Sequence, residues 1–466
     1  MRKRRLHAIY AVLVVALLPV CTQAQIAPAT AQSIDAVVNT SLNDPSVPSV
    51  SLAIVQHGRI VYAKAYGFSR LESRTPATVD MRYKIGSNTK QFVAAAMMLL
   101  VQDGKLSLDD KVAQYLPELT RANEVTIRQL LSHTAGYVDY YPLDYLAPYM
   151  ARPTTVPAVL SDWGKRPLGF EPGTRWEYSN TGYMIAGRII EIAGGMPLTD
   201  FIRTRMADKL GMQSVVDTAT APWEGRDPEG YDVAALGPPR PARPEGKNWL
   251  WAAGNLAMTA TDLARWDIGL MHDTVLTAAS RKAMTTDTLL ADGIASGYGL
   301  GLFVHAGDDG RLRWDHGGEA SGFRTQNTLF PDDDTAIVVL TNGTGAASAT
   351  ITSELEKLLF PSAADPQAPA ALAAARSLFV QLQDGHPDRS VMTDALNAYF
   401  SKQTIEDFAA SLKPLGSDIA ITQTRADKRG GLTYRFFKIK GAGKTVGAAT
   451  YFTPEGKIAQ FIVYPR

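Results

Sequence analysis

Beyond residue 34, apolar positions cluster at 50–55 and 59–62, two short runs separated by a break at His57-Gly58, and this pattern predicts a β-hairpin. The segment 87–101 is dominated from Phe92 onward by Val, Ala, Met and Leu, so it reads as a helix apolar nearly all round and therefore buried, stopped by Asp103-Gly104. From about 105 to 270 the chain mixes helices with long proline-containing loops, including a tyrosine-rich stretch at Tyr137, Tyr140, Tyr141, Tyr145 and Tyr149. Strand signals return at 298–304, 312–314, 322–330 and 336–340, with turns at Asp308-Asp309-Gly310 and at 331–334. Strands at both ends of a helical insertion predict one sheet closed by the two ends of the domain, an α+β fold.

The flanks read differently. Residues 25–33 form a polar lead-in to the folded domain, which runs to 361. An Ala/Pro-rich stretch at 362–375 reads as a linker. Beyond it, 376–412 looks helical, and 419–424, 432–439, 445–452 and 458–463 alternate as strands. The second module, 376–466, is thus a small helix-plus-meander α+β domain, and it resembles the nuclear-transport-factor-2-like kind.

At the other end, Arg2, Lys3, Arg4 and Arg5 precede an apolar stretch at 8–20 and the small-residue site Thr22-Gln23-Ala24, the layout of a cleavable signal peptide over 1–24. The apolar stretch is shorter than the ~20 residues of a spanning helix. Cys21 follows the bulky Val20, a poor fit to a lipoprotein signal, so the expected product is periplasmic or secreted, with no stable membrane insertion. As Cys21 is the only cysteine, the mature chain is expected to hold neither a disulfide nor a cysteine metal site. The formal charge of +1 falls to −3 once the four leading basic residues are gone, and no basic run follows Arg5, which argues against nucleic acid as a partner.

Chemistry enters at Ser87-Asn88-Thr89-Lys90, where the buried helix begins. A serine there meets the positive end of the helix dipole and free backbone N–H groups, and Lys90 falls on the same face one turn later. An ammonium among apolar residues has a lowered pKa, which suits it to take the proton of Ser87. The plain alternative is that Ser87 caps the helix and Lys90 extends to solvent. Tyr178-Ser179-Asn180, the one Y-x-N in the chain, adds a phenol that near a lysine can exist partly as phenolate and relay protons, and an amide able to hold a substrate carbonyl. Its alternative is a turn in which Asn180 caps the next helix. At His316-Gly317-Gly318, two glycines at a strand would let a substrate backbone approach and leave N–H groups free, although a histidine beside glycines is more often a turn or core residue. His305-Ala306-Gly307 runs into a hairpin turn and is passed over, and Gly441-Ala442-Gly443-Lys444-Thr445 lacks the first glycine of a phosphate loop and joins two strands.

The order S-x-x-K, Y-x-N, H-G-G resembles the serine β-lactamase and penicillin-binding-protein family, in its class C β-lactamase, esterase and D-amino-acid peptidase branch. Stretches 130–136, 251–256 and 262–265 are similar to that family too, and the resemblance spans about 34–360. It implies an antiparallel sheet flanked by helices with a helical insertion, no metal and no cofactor, and a small-molecule or peptide substrate. By the same resemblance Ser87 is the acylated nucleophile, Lys90 and Tyr178 share the acid and base work, and Asn180 orients the acyl side. The backbone N–H groups of Ser87 and Glu319 would form the oxyanion hole, while His133 would sit in a structural loop. His316, Gly317, Gly318 and Glu319 are expected to bind substrate with Asn180, but His316 stands where true β-lactamases and transpeptidases of the family have a lysine, so recognition of a substrate carboxylate should weaken. The expectation is hydrolysis of an ester or of an amide of a D-amino acid or peptide. A β-lactamase or DD-carboxypeptidase, and a catalytically silent binding or sensor protein, are the alternatives.

Overall fold

A computed structural model of the chain describes residues 26–465 apart from Asp144, Glu224, Arg226, Leu236, Asp308, 362–364 and Pro366. The signal peptide read at 1–24 lies outside the described residues. Contacts divide the chain into two compact units, one ending at Phe360 and the other beginning at Pro361.

The larger unit is built on β1 (Ser49–Gln56) and β2 (Arg59–Arg70). Both turn residues between them take positive φ, 51° at His57 and 68° at Gly58, as a two-residue hairpin loop requires. With β3 (Thr75–Pro76), β4 (Phe303–Ala306), β5 (Leu312–Ala320), β6 (Phe323–Phe330) and β7 (Thr335–Thr341), they form an antiparallel sheet in the order β3-β2-β1-β7-β6-β5-β4. The two ends of the unit meet at the centre, where β1 and β7 pair from Val50↔Thr341 to Gln56↔Thr335. The strand expected from 298 begins only at Phe303, because Gly297 and Gly301 take positive φ and interrupt the ladder.

Helices cover both faces of this sheet. On one side Val50, Leu52 and Ile54 of β1 and Ile337 and Val339 of β7 pack on α1 (Pro28–Ser41) and α5 (Ala347–Leu359) through Ile34, Val38, Ile351 and Leu355. The alternate residues, Ala53, Val55, Ala336, Val338 and Leu340, join the main core with α2 (Thr89–Gln102), α3 (Asn180–Gly194) and α4 (Ala260–Met271). Burial on both faces explains why these two strands lack a hydrophobic alternation. The polar lead-in at 25–33 was not expected to be structured, but α1 starts at Pro28. Proline suits a first helical turn, and the alanines behind it have high helix propensity.

The smaller unit has α6 (Ala368–Asp384), α7 (Lys402–Leu412) and a four-stranded antiparallel meander, β8 (Ala420–Arg429), β9 (Leu432–Gly441), β10 (Lys444–Phe452) and β11 (Ile458–Pro465). Its core joins Leu378, Phe379 and Leu382 of α6 to Phe437, Phe452 and Phe461. The linker reading over 362–375 is corrected here. Residues 368–375 already belong to α6 and bury Ala371 and Ala375, a core face whose small side chains conceal its periodicity.

Candidate active site

The turn carrying Ser87 is held by two glycines. Gly86 takes φ +53°, and a Cβ there would lie 2.4 Å from the Glu319 backbone nitrogen. A Cβ on Gly318 would lie 1.9 Å from the Ile85 carbonyl oxygen. Only glycines let β5 press its backbone against residues 85–86, so Gly318 serves the fit of strand to turn rather than the approach of a substrate. Asn88 Nδ2 donates to Thr325 Oγ1 at 3.0 Å, and that hydroxyl donates to the Ile85 carbonyl at 3.0 Å, tying the turn to β6.

Ser87 lies in a single 3-10 turn, Gly86–Asn88, ahead of α2. Its hydroxyl makes no cap to that helix, so it is free for other partners. Tyr178 Oη donates to Ser87 Oγ at 2.7 Å. Lys90 Nζ reaches the same oxygen at 3.0 Å, and also Asn180 Oδ1 at 2.8 Å and the Ala253 carbonyl at 2.7 Å. The plain alternative for Lys90 fails, since its side chain is fully buried. Burial lowers its pKa from the usual lysine range to about 7, against an opposing pull from the charge of Asp139. Near neutral pH it is therefore part amine, and the amine can accept the proton of Ser87.

Tyr178 differs from expectation. Burial pushes its phenol up, the hydrogen bond to Ser87 opposing, so the resting side chain is a protonated donor and not a phenolate. Ser179 caps α3 by accepting from the Gly182 N–H at 3.3 Å, so Asn180 is not the cap. Its amide is fixed by Asp139, which accepts from the Asn180 backbone N–H at 3.0 Å and from Nδ2 at 3.1 Å. With the donor end held, the oxygen end must face Lys90. Sequence reasoning missed Asp139. The signal was a carboxylate inside the tyrosine-rich loop, which drew attention for its rings instead.

The Ser87 hydroxyl opens into a cavity of about 840 Å³ lined by both this floor and that loop, with Asp139, Tyr141, Tyr178, Asn180 and Glu319 among its walls. His316 is elsewhere. Its side chain is buried in β5, where Nε2 pairs with Tyr298 Oη at 3.0 Å and the ring packs on Phe303, at 5.5 Å between centroids. Burial and the charge of Lys90 lower its pKa to about 4, so it is neutral at physiological pH. Neither His316 nor Gly317 and Gly318 line the cavity. The expected direct contact of His316 with substrate is corrected accordingly: its imidazole serves the packing behind Tyr178. His133 lies in the same aromatic layer, its ring 4.3 Å from that of Tyr178. It accepts the Ser179 N–H at 3.1 Å, and burial drives its pKa well down, so it orients the Tyr178 segment as a neutral ring.

Among the described residues no group of acidic, histidine or cysteine side chains could hold a metal ion, and no helix is long and apolar enough to cross a membrane.

A family model described as Beta-lactamase matches residues 34–359. Protein flp of Staphylococcus aureus (strain MW2) is 27% identical over 320 residues, covering 67% of this chain and 63% of that protein. Penicillin-binding protein 4* of Bacillus subtilis (strain 168) is 29% identical over 301 residues, covering 61% of this chain and 66% of that protein. The chain thus spans less than two thirds of the length of these curated relatives. In fold it is similar to the octameric penicillin-binding protein homologue from Pyrococcus abyssi, with TM-score 0.64 and 20% identity over 93% of this chain and 99% of that one. It is also similar to the D-amino acid amidase from Ochrobactrum anthropi SV3, with TM-score 0.61 and 23% identity over 71% of this chain and 97% of that one.

Proposed function

The chain belongs to the Beta-lactamase family, and from that premise we propose that it is a serine hydrolase that forms an acyl-enzyme on Ser87 and hydrolyses an ester or an amide of a D-amino acid or peptide. The observation that carries this reading is the pair of hydrogen bonds on Ser87 Oγ, one from a protonated phenol at 2.7 Å and one shared with an amine of pKa about 7 at 3.0 Å.

In the proposed cycle neutral Lys90 takes the hydroxyl proton as Ser87 Oγ attacks the substrate carbonyl. The oxyanion is held by the backbone N–H groups of Ser87 and Glu319, and Asn180 orients the acyl group. Tyr178 gives its proton to the departing oxygen or nitrogen. The resulting phenolate is favoured by the new ammonium of Lys90, whose nitrogen lies 4.8 Å from the centre of the ring. In deacylation the phenolate takes a proton from the attacking water, and Lys90 returns its own to Ser87 Oγ. All three groups then regain their starting forms.

The neutral, buried His316 supports a substrate without a carboxylate, since it offers no cation to the cavity. The pattern of residues 1–24 supports export to the periplasm or beyond, and the two compact units support a division into a catalytic and an accessory part.

The test is intact-protein mass and turnover with p-nitrophenyl acetate and butyrate, a D-alanine p-nitroanilide, nitrocefin and penicillin, for wild type and Ser87→Ala. Adducts or turnover with the esters or anilide that vanish in Ser87→Ala support the reading. Preference for nitrocefin and penicillin replaces it with a β-lactamase, and silence toward all five moves it to a binding protein.

A further inference from the structure

The walls of the Ser87 cavity are unequal in charge. Asp139, Glu177, Asp232 and Glu319 line it, against the guanidinium of Arg324 and, on the floor beside Ser87, the Lys90 amine that faces Asp139. Arg324 is already committed, donating to Glu319 Oε2 from Nε at 3.1 Å and from a terminal nitrogen at 2.8 Å. Behind the wall Glu245 accepts the Ser321 N–H at 2.7 Å and meets Lys84 only at 3.9 Å. Among the described residues Glu177 and Asp232 form no ion pair.

The ionisable groups show that the carboxylates share one region. Tyr141, in the same wall, has its phenol pushed up by burial first and then by the charges of Glu245, Glu319 and Asp232. Burial and the charge of Glu245 raise Asp232 as well. An unbalanced negative wall beside a phenol ring suits a positive group, which would gain both charge attraction and contact with the ring face. Two facts independent of the acids point the same way. The nucleophile opens into this cavity, so an acyl donor must come to rest in it. His316, which stands in place of the lysine that would offer a cation to a substrate carboxylate, is buried and neutral.

We infer that the cavity selects acyl donors carrying a cationic amine on the acyl side, with Asp232 and Glu177 as the recognising carboxylates and Tyr141 as the flanking ring. This deepens the proposed hydrolase reading and rests on it. An α-ammonium of an unblocked amino-acid amide or ester fits this chemistry, and an acyl group ending in a carboxylate does not.

The experiment uses three p-nitrophenyl esters of similar length with the full chain: 4-(trimethylammonio)butyrate, 5,5-dimethylhexanoate and glutarate. The first carries a permanent cation, the second is its neutral isostere, and the third is an anion. The expected order of kcat/KM is cation over neutral over anion, with about tenfold between the first two at low salt and a smaller ratio in 0.5 M salt. In the pair Asp232→Asn and Glu177→Gln the cation-to-neutral ratio should fall toward one. Because this ratio is read within each variant, a change in folded fraction cancels. A wild type that turns over the neutral ester as well as the cationic one overturns the inference and leaves the hydrolase reading standing. Failure of all three esters to acylate Ser87 overturns both.

Discussion

The floor around Ser87 and the aromatic layer behind Tyr178 each contain a buried nitrogen base, and burial lowers the pKa of both. Lys90 comes to about 7, His316 to about 4. The first shares its hydrogen bonds with a hydroxyl, an amide oxygen and a carbonyl, beside the charge of Asp139. The second pairs with a phenol among rings and feels the charge of Lys90 as repulsion. Burial thus yields a base poised at working pH in one place and a neutral ring in the other, because an amine starts near 10.5 and an imidazole near 6.5. Desolvation lowers both, the charge of Asp139 checks the fall at Lys90, and the charge of Lys90 adds to it at His316.

The comparison breaks most severely at Lys90. Replacing Lys90→Met should lower kcat/KM by a factor on the order of 10³, since a general base in direct contact with its nucleophile contributes about that much. In the wild type only the unprotonated amine is competent. Thus kcat/KM should rise about tenfold per pH unit below about 7 and level off above it, and the variant should lose this limb. A pH profile of ester turnover over 5–9 decides both points.

At His316 the expected damage is to stability. His316→Lys would place an ammonium against Tyr298 and Phe303, at a site that already holds its own base neutral. The variant should lose on the order of 3 kcal/mol by urea unfolding and gain no turnover of carboxylate-bearing substrates. The opposite result, normal stability with new activity on such substrates, would mean that this position communicates with the cavity.

A smaller effect belongs to Asp139. Asp139→Asn removes a charge that raises the pKa of Lys90 and frees the Asn180 amide to turn. The acid limb of kcat/KM should move to lower pH, and the plateau should fall about tenfold. A limb that stays in place would limit Asp139 to a structural part.

What the sequence reveals follows the same division. Ser87, Lys90, Tyr178 and Asn180 are legible because their chemistry needs those residue types at helix spacing or in a short run, and the structure brings all four within hydrogen-bonding reach. The hairpin and the late strands are legible from turn residues and apolar runs. Asp139 is not legible, because its value lies in two contacts with a residue 41 positions away. Gly318 was visible but misread. Its need for a bare Cα comes from the Ile85 carbonyl, a contact between distant segments. His316 could be read as a departure from lysine, but its burial depends on Tyr298 and Phe303, which only the folded sheet sets around it.

A third buried group sharpens the comparison further. Among the described residues Asp267 of α4 has no basic partner, and it has no exposed face; Oδ1 accepts from Asn327 Nδ2 at 2.7 Å, and burial raises its pKa to about 8 despite that bond. Here desolvation is opposed by one neutral donor and no charge, and the acid is held protonated at neutral pH. The folded acid keeps its proton where the unfolded one, near 4, has lost it. Stability from this group is thus complete below about pH 4 and declines as pH rises toward 8, by about 1.4 kcal/mol per unit. Asp267→Asn cannot ionise and should flatten that decline, so its stability relative to wild type should improve steadily from pH 4 to 8. Unfolding midpoints of the two proteins across that range would show it. Parallel curves would mean that Asp267 ionises when folded, and that the bond from Asn327 offsets burial as effectively as a charge would.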